Sequence, residues 1–89
     1  MSLIHEARNK INAIDEKMVE LFGERMMAVL DVLKYKKEHN LPVFDSKREE
    51  EIIMKNVGLL QNKELEKYYL EFFSAVLSSS KKYQEDNYE

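Results

Sequence analysis

Residues 20–40, ELFGERMMAVLDVLKYKKEHN, decide how this chain folds. Apolar residues stand at Leu21, Ala28, Val32 and Tyr35. The same alternation of three- and four-residue steps runs back through Met18, Ile14, Ile11 and Ala7 to Ile4. That spacing puts them on one stripe of a single helix, from about Leu3 to about Glu38. Such a helix is about 54 Å long at 1.5 Å per residue. It is too long to fold back on itself in a chain of 89 residues, and no later segment can cover the whole stripe. A heptad seam without an equal partner in its own chain implies a second chain. Gly23 is a mild weakness in it, costing about 1 kcal/mol relative to alanine. One position breaks the seam: between Leu21 and Ala28 the series falls on Arg25.

Composition narrows the choices. Two glycines and one proline leave little material for turns or sheet, and 44% hydrophobic with 35% charged residues is the mixture of amphipathic helices. The expected fold class is therefore all-α, in one small domain over 1–89 that gains core by oligomerising. There is no cysteine to form a disulfide or a thiolate metal site. His5 and His39 stand at opposite ends of the first helix and make no metal-ligand pair. A net charge of −3 argues against general binding of nucleic acid. MSLIHEARNK lacks the apolar run of a signal peptide. No segment approaches the roughly 20 apolar residues of a membrane span. The default address is the cytoplasm. Against eleven lysines there are three arginines, Arg8, Arg25 and Arg48. The planar arginine fork suits bidentate binding of carboxylate or phosphate.

EHNLPVFDSKREE ends the first helix, because Pro42 cannot sit in a helix interior and disfavours helix at Leu41. The second helix is expected over about 46–60, with Ile52, Ile53, Val57 and Leu60 on its inner face. After the weak break GLLQNKE, Asn62 is expected to cap a third helix over about 63–84. Its apolar face is Leu65, Tyr69, Phe72, Phe73, Val76 and Leu77, and the same steps continue to Ser80 and Gln84. The tail EDNYE reads as frayed.

Several polar side chains thus fall on or beside interior faces, and each has an ordinary explanation. Arg25 could set the register of a coiled-coil interface, paired with a glutamate. Arg8 and Lys36, four heptads apart on one flank of the seam, could pack their stems and leave their heads in water. SKRE reads as a capping box, with Ser46 as cap and Glu49 reaching back. Ser80 and Gln84 could mark fraying, and Met26, Met27 and Met54 read as packing. Arg48 is harder to dismiss, because the start of a helix prefers anions to cations. If these cations act together they would bind a compact anion carrying more than one negative charge. Arg8 and Arg25 are about 25 Å apart along one helix. Arg8 can therefore share a site with Arg25 only if it comes from another subunit, with the long helices antiparallel.

Three segments, ARNKINAIDEKMVELFGER (7–25), VLKYKKEHNLPVFDSKREEE (32–51) and SSSKKYQ (78–84), together carry a family likeness. The chain resembles the all-helical, intertwined-dimer class of chorismate mutases from about Ala7 to Gln84. The resemblance rests on Arg, Arg, Lys, an Asp-x-x-Arg-Glu box and a Ser-x-x-x-Gln pair, in that order. It implies three helices per chain, an intertwined homodimer with two equivalent sites, and the Claisen rearrangement of chorismate to prephenate without metal or cofactor. It implies that Arg8 reaches into the other subunit's site and that Arg25 binds a substrate carboxylate, with Arg48 supporting that anionic end. Lys36 and Gln84 would donate to the ether oxygen. Glu49, with the Asp45 region, would hold the ring hydroxyl, and Ser80 would add a hydrogen bond to a carboxylate. Two positions depart from the family pattern: Lys81 stands where an apolar pocket residue is expected, and Phe44 where a polar one is common. With no further domain in the sequence, the chain reads as monofunctional.

Two other readings compete. An isochorismate-pyruvate lyase of the same fold would need similar cations around a similar dianion. A non-catalytic helical dimer would use Arg25 only to fix register and could dispense with Lys36.

Overall fold

The chain runs as three α-helices in a computed structural model that describes residues 2–88: α1 (Leu3–Glu38), α2 (Ser46–Leu60) and α3 (Glu66–Asp86). A single 3-10 turn, Lys63–Leu65, leads into α3. Ser2 caps α1, its hydroxyl accepting the His5 backbone N–H at 3.4 Å. At the other end the chain leaves α1 through a left-handed residue, Asn40 (φ 55°). The Leu41 N–H bonds the Lys36 carbonyl at 2.8 Å and the Asn40 N–H bonds that of Lys37 at 3.3 Å. This is the Schellman closure, with asparagine in place of the usual glycine. It turns the chain back along the end of α1 just before Pro42 forbids more helix.

Helix α2 spans the range expected from sequence, but its cap and the start of α3 differ from that expectation. Asp45, not Ser46, caps α2: its carboxylate accepts the Arg48 N–H at 3.1 Å. Aspartate caps as well as serine does. The shift of one residue removes Glu49 from the capping box. Gln61, in the left-handed region at φ 51°, breaks the chain after α2. Asn62 then caps the 3-10 turn rather than α3 itself, accepting the Glu64 N–H at 3.1 Å. Nor are residues 85–88 of the tail frayed; Glu89 lies outside the described residues. Helix α3 continues to Asp86, and the Lys37 ammonium donates to the Asn87 carbonyl at 3.1 Å and lies 5.9 Å from the Tyr88 ring.

Helix α3 packs against both α1 and α2. Leu33 of α1 and Phe73 of α3 are the buried apolar residues at the centre, with the Tyr69 ring stacked on Phe73 at 5.5 Å. The α1 face that meets α3 is Met26, Val29, Leu30 and Leu33. It lies roughly a third of a turn from the heptad seam at 3.6 residues per turn. The seam itself stays in water: Ile4, Ile11, Ile14, Met18, Leu21, Val32 and Tyr35 are all exposed. Met27 and Met54, expected to pack, are exposed as well, as are Leu65 and Phe72 of the expected α3 face. The N-terminal half of α1 projects as a bare rod. The Cα radius of gyration is accordingly 16.3 Å, against about 12 Å for a compact chain of this length.

Gly23 is exposed on α1, and a Cβ added there would meet nothing within 4 Å. Replacing Gly23 with alanine should stabilise the protein by about 1 kcal/mol through helix propensity alone. Urea denaturation of both proteins at one protein concentration checks this.

Candidate active site

Three elements converge on one cavity of about 160 Å³. Helix α1 contributes Arg25, Val29, Val32 and Lys36, spaced by four, three and four residues so that they share one face. Arg25 and Val32 belong to the exposed seam and Val29 to the packed face, so the cavity opens where the two meet. Helix α3 contributes Leu77, Ser80, Lys81 and Gln84. The loop after α1 and the first turns of α2 supply Val43, Asp45, Arg48, Glu49 and Ile52.

The polar end of α3 explains why Arg25 stands where it does. Ser80 and Gln84 are buried, at 5% and 8% exposure. Buried polar groups need partners. Arg25 donates a guanidinium hydrogen bond to the Ser80 hydroxyl. The hydroxyl in turn donates a hydrogen bond to the Val76 carbonyl at 2.9 Å. The Arg25 guanidinium also lies 5.8 Å from the Phe73 ring. Arg25 thus crosses from α1 to α3 inside the chain rather than pointing along the seam.

Lys36 is fixed from two sides. Its ammonium donates to the Val43 carbonyl at 2.7 Å and to the Gln84 side-chain oxygen at 3.3 Å. The Gln84 amide nitrogen donates back to the Ser80 carbonyl at 3.5 Å. An ammonium has three donor protons, so one remains for the cavity. The Schellman turn at Asn40 brings the Val43 carbonyl to Lys36. No sequence signal marks a backbone oxygen, which is why residue patterning missed it.

The electrostatics favour an anion. Arg25, Lys36, Arg48 and Lys81 line the cavity against Asp45 and Glu49, a formal surplus of two positive charges in a chain whose net charge is −3. Among the described residues none of these four cations forms an ion pair with a carboxylate. Asp45 is occupied as the α2 cap. Glu49, freed from capping, is half-buried at the wall.

Of the residues singled out from sequence, Arg25, Lys36, Asp45, Arg48, Glu49, Ser80 and Gln84 all line this cavity. Arg8 does not. It is exposed on the projecting half of α1, 17 residues before Arg25, about 25 Å along the axis. Lys81, noted in the sequence only as a departure, is part of the wall.

The chorismate mutase type II family profile matches residues 7–85. A bifunctional chorismate mutase/prephenate dehydratase of Buchnera aphidicola is 36% identical over 75 residues, covering 82% of this chain and 20% of that protein. The T-protein of Haemophilus influenzae is 30% identical over 66 residues, covering 74% of this chain and 16% of that protein. This chain spans no more than about a fifth of the length of these curated relatives. No solved structure matches it. With its family profile covering nearly the whole helical chain, the protein belongs to the chorismate mutase type II family.

Proposed function

We propose that the chain converts chorismate to prephenate, in a cavity completed by a second copy of itself. The observation that carries this reading is the cavity's adjacent Lys36 and Gln84, the ammonium donating to the Gln84 side-chain oxygen, set among arginines that form no ion pair with a carboxylate among the described residues. The rearrangement is unimolecular. A carbon–oxygen bond breaks, a carbon–carbon bond forms, and no proton enters or leaves. What a protein can supply is the compact chair of a flexible dianion, and a field matched to the charge that develops.

Arg25 and Arg48 hold carboxylates of the substrate. Arg25 is preorganised for this by Ser80 and Phe73, so little ordering remains for the moment of binding. As the ether bond lengthens, its oxygen gains negative charge. Lys36, held by Val43 and Gln84, donates a hydrogen bond to that oxygen through its remaining proton, and Gln84 donates one through the amide proton that the Ser80 carbonyl does not take. Donors fixed in advance stabilise the transition state more than the ground state. Glu49, with Asp45 beside it, accepts from the ring hydroxyl.

The dimer follows from two features. The exposed seam of α1 is longer than anything in its own chain, and burying it against an antiparallel copy would remove Ile4 to Tyr35 from water. The same arrangement lets Arg8 of a second copy approach a cavity that opens on the seam at Arg25 and Val32. The site would then hold a surplus of three positive charges around a dianion.

Incubating the purified protein with chorismate, without added metal or cofactor, should yield prephenate. A parallel incubation with isochorismate tests the lyase: salicylate and pyruvate, with little prephenate from chorismate, would overturn the mutase reading.

Lys36→Ala should lower kcat about 100- to 1,000-fold, with the oligomer unchanged by size-exclusion chromatography. A variant of normal activity would remove Lys36 from the chemistry. Gln84 carries no titratable proton, whereas a glutamate donates only when protonated. Gln84→Glu should therefore lose activity as pH rises through the carboxyl's range, while the parent protein does not; a pH–rate profile of the pair decides it. Arg8→Ala and Arg25→Ala should each be nearly inactive alone. Their mixture should regain activity once subunits exchange, because some heterodimers carry one intact site. Continued inactivity with exchange demonstrated would place both arginines in one subunit's site, or neither in any.

A further inference from the structure

Lys81 is the cavity residue for which the rearrangement needs no role. It follows Ser80 on α3 and faces the same side as Leu77 and Gln84, four residues before and three after. It lines the main cavity and also a second hollow of about 240 Å³ beside it, shared with Phe44 and Glu49. It therefore stands on the partition between the two. Its side chain is half-buried and its ammonium lies 4.6 Å from the centre of the Phe44 ring. Asp45 and Glu49 line the cavity with it, yet neither forms an ion pair with it. The ammonium rests on an aromatic face that is itself about half exposed, at 49%. That attraction is weak at a wet site and easily exchanged for a carboxylate.

Resting on the chorismate reading above, we propose that Lys81 is a capture residue for the substrate dianion: resting on Phe44 without substrate, it swings from the partition to pair with a substrate carboxylate in the cavity. Lys81 is one of the four cations that give the cavity its surplus of two positive charges. Its partner is a carboxylate whose charge does not change as the ether bond breaks. An interaction equal in ground and transition states lowers KM and leaves kcat alone. An unpaired charge on the cavity wall also draws an anion in from solution, and salt screens that attraction.

Lys81→Met keeps the stem that packs on Phe44 and removes the charge; Lys81→Arg keeps both. At low ionic strength Lys81→Met should raise KM for chorismate about tenfold, with kcat reduced less than threefold. The gap should narrow as salt is raised, and Lys81→Arg should restore KM. Prephenate, titrated calorimetrically into each variant, gives a readout independent of turnover and should bind Lys81→Met correspondingly weakly. If KM and prephenate affinity match the parent at every salt concentration, or if kcat falls while KM holds, the capture role is overturned and the mutase reading stands. If the parent turns over no chorismate but binds prephenate in a Lys81-dependent way, the mutase reading fails and the capture role stands. If the parent neither turns over chorismate nor binds prephenate, both fall.

Discussion

Two polar side chains buried on α3 set the terms for the rest of the molecule. Ser80 and Gln84 extend a face that is otherwise apolar and end up out of water. A buried hydroxyl or amide without a partner costs more than a hydrogen bond is worth when made. The register of α1 on α3 adds cross-helix partners, with Arg25 at Ser80 and Lys36 at Gln84. That register brings Leu33 and Phe73 together, sets the angle at which α1 leaves the globule, and fixes which face of α1 is left over. The residues that lock the helices together are the same ones that charge the cavity. Fold and site therefore share one set of interactions, and a change at Ser80 or Gln84 acts on both.

The loop between α1 and α2 is a second consequence. Asn40 in the left-handed region closes α1 and turns the chain so that the Val43 carbonyl meets Lys36. Asp45 then opens α2 two residues later. Because Asp45 does the capping, Arg48 and Glu49 both reach the cavity. Arg48 sits at the electropositive start of a helix. That placement is unfavourable in an empty site and becomes favourable when an anion arrives. The cavity is poised for a negative ligand by its backbone as well as its side chains.

What remains is a helix with two apolar faces and only one covered within the chain. An exposed seam along most of a 36-residue helix is a large unsatisfied surface for so small a protein. In the proposed dimer the seam is covered and the cavity mouth is bordered by the second copy. Arg8 then gains a purpose that its place on a bare rod does not supply. Phe44 and Lys81, the two departures from the family pattern, sit together where the cavity adjoins the second hollow.

Much of this was legible in the residues. Apolar spacing alone determined the all-helical class and the unpartnered seam, because periodicity reports directly on helix faces. An arginine within the apolar series marked Arg25, and a cation at the electropositive start of a helix marked Arg48. Periodicity could not say which of two stripes on α1 would meet α3, and the packed face proved to be Met26, Val29, Leu30 and Leu33 rather than the seam. The capping-box pattern pointed to Ser46 where Asp45 is the cap, because both residue types cap well. The Val43 carbonyl, the Arg25–Ser80 bond and the resting place of Lys81 on Phe44 belong to the tertiary structure alone. Each joins residues far apart in the chain or uses a backbone atom, and one-dimensional spacing carries no record of such contacts.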